Sequence, residues 1–333
     1  MAGEIGFVVV GLGMGYSRAK TIARTPGARL IGVADTDTAK AGRVAEELGC
    51  EWSADYHDFL RRSDVDVVGA WTPTGLHGKV AIDTLKAGKH AITTKPMDVS
   101  LVRCDEMIET ATKANRLLVV DFGNRYQPDA RRLRQAILDG GFGRVHFADV
   151  RLKWWRAQSY YDRGHWRGTW AMDGGGSLMN QGVHYVDALL WLMGPVERVE
   201  YARSAVLAHD IETEDATQAL ISFKSGAWGS IETTTTHYPS LPTTIEIHGT
   251  GGSAVRTDDA LTVWKFMDEN GQERAYEPPA EGWAPSDVAA DVVSALTRGT
   301  PVACDGLDGR RSIALITAIY EAARTGRSVV PPD

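Results

Sequence analysis

The chain has 333 residues, 43% of them hydrophobic, and a formal net charge of −7; this length predicts two domains, and the acidity argues against nucleic acid or an anionic membrane as main partner. No apolar run reaches the about eighteen residues of a membrane helix, and no basic, signal-type segment opens the chain. Cys50, Cys104 and Cys304 are odd in number and scattered, which argues against a disulfide framework or zinc cluster and makes a reducing cytoplasm the expected compartment.

In chain order, the first third alternates short apolar runs with amphipathic stretches, the rhythm of a parallel sheet with crossover helices. Strands are predicted at Gly6–Val10, Arg29–Ala34, Val65–Trp71, His90–Thr93 and Leu117–Asp121. Helices are predicted at Ser17–Arg24, Thr38–Leu48, Asp55–Arg61, Leu76–Ala87 and Leu101–Ala114. After about residue 123 the rhythm changes. A helix at Pro128–Leu138 stops at Gly140-Gly141, and a strand is predicted at Val145–Lys153. An aromatic, arginine-rich segment, Trp154–Trp170, and the run Gly174-Gly175-Gly176 lead into an apolar helix predicted at Leu178–Met193. From Val196 to Phe266 the alternating β-branched pattern predicts a largely antiparallel sheet with one buried face. Helices at Ala289–Thr297 and Arg310–Arg324 close the chain.

The first strand runs into Gly11-Leu12-Gly13-Met14-Gly15-Tyr16, and a helix opens at once. Gly11 would make the tight turn, Gly13 would admit a pyrophosphate close to the backbone, and the helix N-terminus would face the phosphate charge. The third glycine of a dinucleotide fingerprint is displaced, since Tyr16 holds its place and Gly15 precedes it. Asp35 ends the second strand, where a carboxylate accepts hydrogen bonds from ribose hydroxyls and repels a 2′-phosphate. NAD is therefore expected over NADP. Thr36 and Asp37 follow, with no arginine close by. The alternative is a structural turn with Asp35 as a helix N-cap.

Three further motifs, Trp71-Thr72-Pro73-Thr74 with His77, Thr94-Lys95-Pro96, and Gly174 through His184 with Asp187, together resemble the Gfo/Idh/MocA oxidoreductase family. The resemblance continues through Ile247–Gly252, Asp305–Gly309 and Ala318–Gly326, and so covers essentially the whole chain. It implies an α/β architecture: an NAD-binding Rossmann domain over residues 1–122, then an α+β domain over 123–333 with a large open, mostly antiparallel sheet. In the cofactor site it places the turn Gly11, Leu12, Gly13, Met14 and Gly15, then Asp35 and Thr36. Thr72, Pro73, Thr74 and His77, with Thr94 and Lys95, would line the same site, and Trp166-Arg167 resembles a pair that borders the cofactor.

Thr94-Lys95-Pro96 matches the family's Glu-Lys-Pro, with Thr in place of Glu. Lys95 ends a parallel strand, the edge where ligands bind in such sheets, and Pro96 favours an extended Lys95 and allows a cis bond. Asn180 and His184 are four apart, so on a helix they would share a face. The family often carries Asp and His at these positions. An amide orients a hydroxyl but cannot take its proton, so His184 is the expected base; Asp187 would orient the imidazole or cap local structure. Lys95, His184 and Asn180 form the candidate catalytic set.

Trp155 and Tyr160, with the arginines near them, suit a sugar pocket, and Arg125 and Tyr126 are expected to face the same cleft. The alternative is that these aromatics pack a subunit interface or the linker. No histidine spacing suggests a metal. The expected function is hydride transfer between NAD and a secondary hydroxyl or ketone of a sugar, sugar derivative or cyclic polyol. The alternative is a non-catalytic, NAD-binding regulatory protein of the same fold. A homodimer or homotetramer through the second sheet is expected.

Overall fold

Six short runs build the first sheet: β1 (Ile5–Val10), β2 (Ala28–Ala34), β3 (Glu51–Ser53), β4 (Val67–Ala70), β5 (His90–Thr94) and β6 (Leu118–Asp121). The structure, a computed structural model, describes residues 3–280, 282 and 284–332. It divides into two units, Met1–Phe122 with Pro285–Arg310 and Gly123–Ala284 with Arg311–Asp333. In the first unit the strand order is β3-β2-β1-β4-β5-β6, and every pairing is parallel. The order reverses between β1 and β4, the place where such sheets bind nucleotides. Phe7, Val8 and Val9 are fully buried, as expected of a central strand covered on both faces. Strand β3 is absent from the predicted elements because its three residues carry no apolar run.

Residues 285–310 correct the expected second domain of 123–333, since they pack with the first unit. Asp287 caps the helix Val288–Arg298 by accepting from the Ala289 and Ala290 N–H groups. Val293 lies so close to Gly27 that a Cβ there would come within 3.0 Å. The Cys304 carbonyl accepts from the Val120 N–H at 3.1 Å, beside β6. An amphipathic helix has the same periodicity wherever it docks, so spacing alone could not assign it to the first sheet.

The second unit holds β7 (Val145–Lys153), β8 (Val196–Ala205), β9 (Ala216–Phe223), β10 (Trp228–Thr234), β11 (Thr244–Gly249), β12 (Gly252–Thr257), β13 (Ala260–Met267) and β14 (Glu273–Arg274). Their order is β14-β13-β12-β11-β7-β10-β9-β8. The β7–β10 pair is parallel and the others are antiparallel. Alternation along β9, β11 and β12 sends Ala219, Ile221, Ile245, Ile247 and Ala254 to a buried face. The helices Pro128–Leu138 and Val183–Met193 pack on this sheet. The helix predicted from Leu178 begins differently: Ser177–Gly182 forms one π turn, and α-helix starts at Val183. Among the described residues no helix is long and apolar enough to cross a membrane.

Candidate active site

The first unit carries the nucleotide turn. Gly11 has φ +85°, and a Cβ there would lie 2.7 Å from the Trp71 carbonyl oxygen, so only glycine fits. A Cβ at Gly13 would meet nothing within 4 Å, which leaves that strip of backbone open to a ligand. Gly15 begins the helix Gly15–Ile22 and lies against β1, where a Cβ would come 3.0 Å from Val9 Cγ1. It therefore does the close-packing work of the displaced third glycine, while the Tyr16 hydroxyl turns outward to Glu47. This helix has no side-chain cap and no acid in its first turn, the condition under which its N–H groups can receive a phosphate.

Asp35 is positioned by the same turn. Its Oδ2 accepts from the Leu12 N–H at 2.7 Å and from Lys40 Nζ at 3.1 Å, and its Oδ1 accepts from the Asp37 N–H at 2.9 Å. Burial raises the Asp35 pKa, but these hydrogen bonds and the Lys40 charge outweigh it and hold the carboxyl below its ordinary range. The helix Thr38–Leu48 is capped by Asp37, not Asp35. Lys40, five residues after Asp35, supplies a cation beside its carboxylate.

Lys95 and Thr94 lie half-buried at the carboxyl end of β5, and the Lys95–Pro96 bond is cis. His77, expected beside the cofactor, joins two turns of the first unit. It is 1% exposed, with Nδ1 2.8 Å from the Pro96 carbonyl and Nε2 2.9 Å from the Thr72 carbonyl. It thus ties the Thr72-Pro73 turn to the Lys95-Pro96 turn. Burial holds its pKa below the ordinary value, so the neutral ring donates to one of the two carbonyls at a time. Thr74 is also buried. A second unforeseen group is the buried Asp121 at the end of β6, which accepts from Arg18 Nε at 2.7 Å and Trp71 Nε1 at 3.3 Å; burial pushes its carboxyl up against the pull of Arg18.

The second unit carries Asn180, in the π turn, and His184, at the head of the following α-helix, both half-buried. Glu214 explains the turn. Its buried carboxylate accepts from the N–H groups of Gly176 (3.1 Å), Ser177 (2.8 Å) and Leu178 (3.0 Å), from Ser177 Oγ (2.7 Å) and from the Tyr320 hydroxyl (2.6 Å). One acid thus satisfies three N–H groups at the head of the turn. Burial pushes the Glu214 carboxyl up from its ordinary range despite those donors. Asn180 donates from Nδ2 to Asp173 Oδ1 at 2.6 Å. No local pattern pointed to Glu214 or Asp173.

Arg125 and Tyr126, expected beside the substrate, lie in the short turn Gly123–Tyr126. Both are buried, and Arg125 forms a two-pronged ion pair with Asp187 at 2.7 and 3.0 Å. Asp187 thus anchors Arg125 within the second unit. Tyr160 does gather polar groups: the guanidinium carbons of Arg156 and Arg167 lie 5.3 and 4.8 Å from its ring centre. Its hydroxyl accepts from Gln181 Nε2 at 3.2 Å. Trp166 lies under Arg167 at 4.6 Å, while Trp155 packs edge-on against Tyr238 at 5.7 Å.

Residues 5–122 match the model of an oxidoreductase family with an NAD-binding Rossmann fold. Residues 130–255 match the GFO/IDH/MocA C-terminal domain. The chain belongs to the Gfo/Idh/MocA oxidoreductase family. As a member, it carries its NAD site on the first unit, and the open Gly13 strip, the uncapped helix and the ionised Asp35 fit that cofactor. This Gfo/Idh/MocA chain is 28% identical to an inositol 2-dehydrogenase of Rubrobacter xylanophilus, over 98% of this chain and 94% of that relative. It is 25% identical to a myo-inositol 2-dehydrogenase of Thermotoga maritima, covering 96% and 97% of the two chains. Among solved structures, the WlbA dehydrogenase of Bordetella pertussis in complex with NADH and UDP-GlcNAcA is similar at TM-score 0.88, with 32% identity and 99% of each chain covered.

Proposed function

We propose that this oxidoreductase interconverts a secondary hydroxyl and a ketone on a sugar, sugar derivative or cyclic polyol. NAD, when bound, supplies the hydride chemistry at its nicotinamide. Lys95 holds and polarises the hydroxyl, His184 exchanges its proton, and Asn180 positions it. The observation that carries this reading is Lys95 at the carboxyl edge of the sheet, beside turns at Gly11–Gly15 and Thr72 that suit a nucleotide. The relatives act on, or are bound to, polyhydroxylated rings, which supports the substrate class. A finer reading, a nucleotide-linked sugar acid, is favoured by Arg156 and Arg167 flanking Tyr160, two cations suited to a carboxylate or pyrophosphate.

The test is NADH absorbance with NAD and a panel of inositols, monosaccharides and UDP-linked sugar acids. Turnover supports the enzyme, and His184→Ala and Lys95→Ala should each lower kcat by roughly a hundredfold or more. Tight NAD binding without turnover across the panel would favour the regulatory alternative. The odd number and wide scatter of Cys50, Cys104 and Cys304 in the sequence support work in a reducing compartment, the cytoplasm.

The outer face of the second sheet supports self-association. Phe147 and Trp228 are paired across β7 and β10, Tyr201 and Leu220 across β8 and β9, and all four are exposed. A second copy covering this face would bury them together; light scattering at micromolar concentration should give a dimer or tetramer, and a monomer would refute it.

A further inference from the structure

Asp35 follows β2, and every donor on its carboxylate comes from the first unit. A carboxylate offers about four accepting places. Three are taken here: Oδ1 accepts from the Asp37 N–H at 2.9 Å, and Oδ2 accepts from the Leu12 N–H at 2.7 Å and from Lys40 Nζ at 3.1 Å. Oδ1 therefore has one place left, and Oδ2 has none.

The two backbone donors are fixed by their turns. Leu12 follows Gly11, whose φ of +85° and close approach to the Trp71 carbonyl set the glycine turn. The Asp37 N–H closes the bend into the helix Thr38–Leu48, which Asp37 caps. The Lys40 ammonium is the donor that can move, since its side chain is 33% exposed against 13% for Asp35. Its place is also locally unfavourable. Lys40 stands in the first turn of its helix, where the positive end of the macrodipole repels a cation, so the Asp35 carboxylate is what holds it there.

The adenosine ribose of NAD carries two neighbouring hydroxyls, and a diol that uses both carboxylate oxygens needs a place on Oδ2. We propose that Lys40 is a specificity-determining residue that gives up its place on Asp35 Oδ2 to a ribose hydroxyl when NAD binds. This rests on the reading above that Asp35 receives that ribose. One hydroxyl donates to the open place on Oδ1, and the second takes the place the ammonium held. With NADP a phosphate replaces the 2′-hydroxyl, and the released ammonium offsets its charge beside Asp35. Lys40 thus works against NAD and in favour of NADP, and it narrows the preference that Asp35 sets.

Calorimetric titration of the full chain tests the exchange with three ligands: NAD, NADP, and NAD whose adenosine lacks the 2′-hydroxyl. Breaking an ion pair this exposed costs a factor of about two to five in affinity. Lys40→Met has no pair to break, so it should bind NAD about twofold tighter than wild type and NADP roughly threefold or more weaker. The deoxy analogue needs only the open place on Oδ1, so wild type and Lys40→Met should bind it equally. Asp35→Asn should weaken NAD at least about fivefold, and adding Lys40→Met to it should leave NAD affinity unchanged, the coupling expected of two groups in contact. NAD binding by Lys40→Met that equals or falls below wild type overturns the exchange. Equal tightening of NAD and of the deoxy analogue overturns it too, because the second hydroxyl is then not what Lys40 opposes. Unchanged NAD binding by Asp35→Asn removes the ribose reading itself, and the exchange with it.

Discussion

Replacing Glu214 by alanine takes the acceptor away from five donors at once, three of them backbone N–H groups of the turn that carries Asn180. A buried donor left without an acceptor costs about 1–3 kcal/mol. The losses are not additive here, because Ser177 Oγ already lies 3.2 Å from the Thr233 carbonyl and can turn fully to it. A total of about 3–5 kcal/mol follows, the range for breaking a buried polar network. For a domain of this size that is a Tm lower by roughly 10 °C. Glu214→Gln keeps one carbonyl oxygen and sets an NH2 group against the turn, so it should fall between alanine and wild type. Differential scanning fluorimetry of the two variants measures this directly. A Glu214→Ala protein within about 2 °C of wild type would show that another group caps the turn and that Glu214 does not hold it.

Lys40→Ala exposes the full Asp35 charge to a 2′-phosphate and should weaken NADP binding by roughly threefold or more while NAD changes less; Asp35→Ser should narrow the gap between the two cofactors, both read by calorimetry. His77 has its pKa depressed by burial, so its contribution is present above the unfolded value of about 6.5 and is lost as pH falls below it. The decline in Tm from pH 7 to pH 5 should therefore be shallower in His77→Gln than in wild type, and equal slopes would refute the assignment. Arg125→Ala deprives the buried Asp187 carboxylate of its guanidinium and should destabilise by about 3–5 kcal/mol in urea titration, whereas Arg125→Met with Asp187→Leu should recover most of that loss.

Periodicity and punctuation were enough to show much of this protein. The glycine turn, Asp35 at a strand end, Lys95 before a proline, and the switch from a parallel to an antiparallel rhythm are local features, and local features survive in a one-dimensional string. Element type and the family resemblance followed from them, and the family models bear that resemblance out. What the sequence could not show depends on contacts between distant residues. Glu214 reaches a turn 37 residues earlier, and its carboxylate sets the turn's π geometry, which no spacing rule foretells. A partner of Arg125 lies 62 residues on, at Asp187, a pairing no local pattern shows. His77 lies between the Pro96 and Thr72 carbonyls, a link between separate turns that no spacing shows. The helix Val288–Arg298 joined the first sheet because its apolar stripe found Gly27 there, a match of surfaces that exists only once the chain has folded.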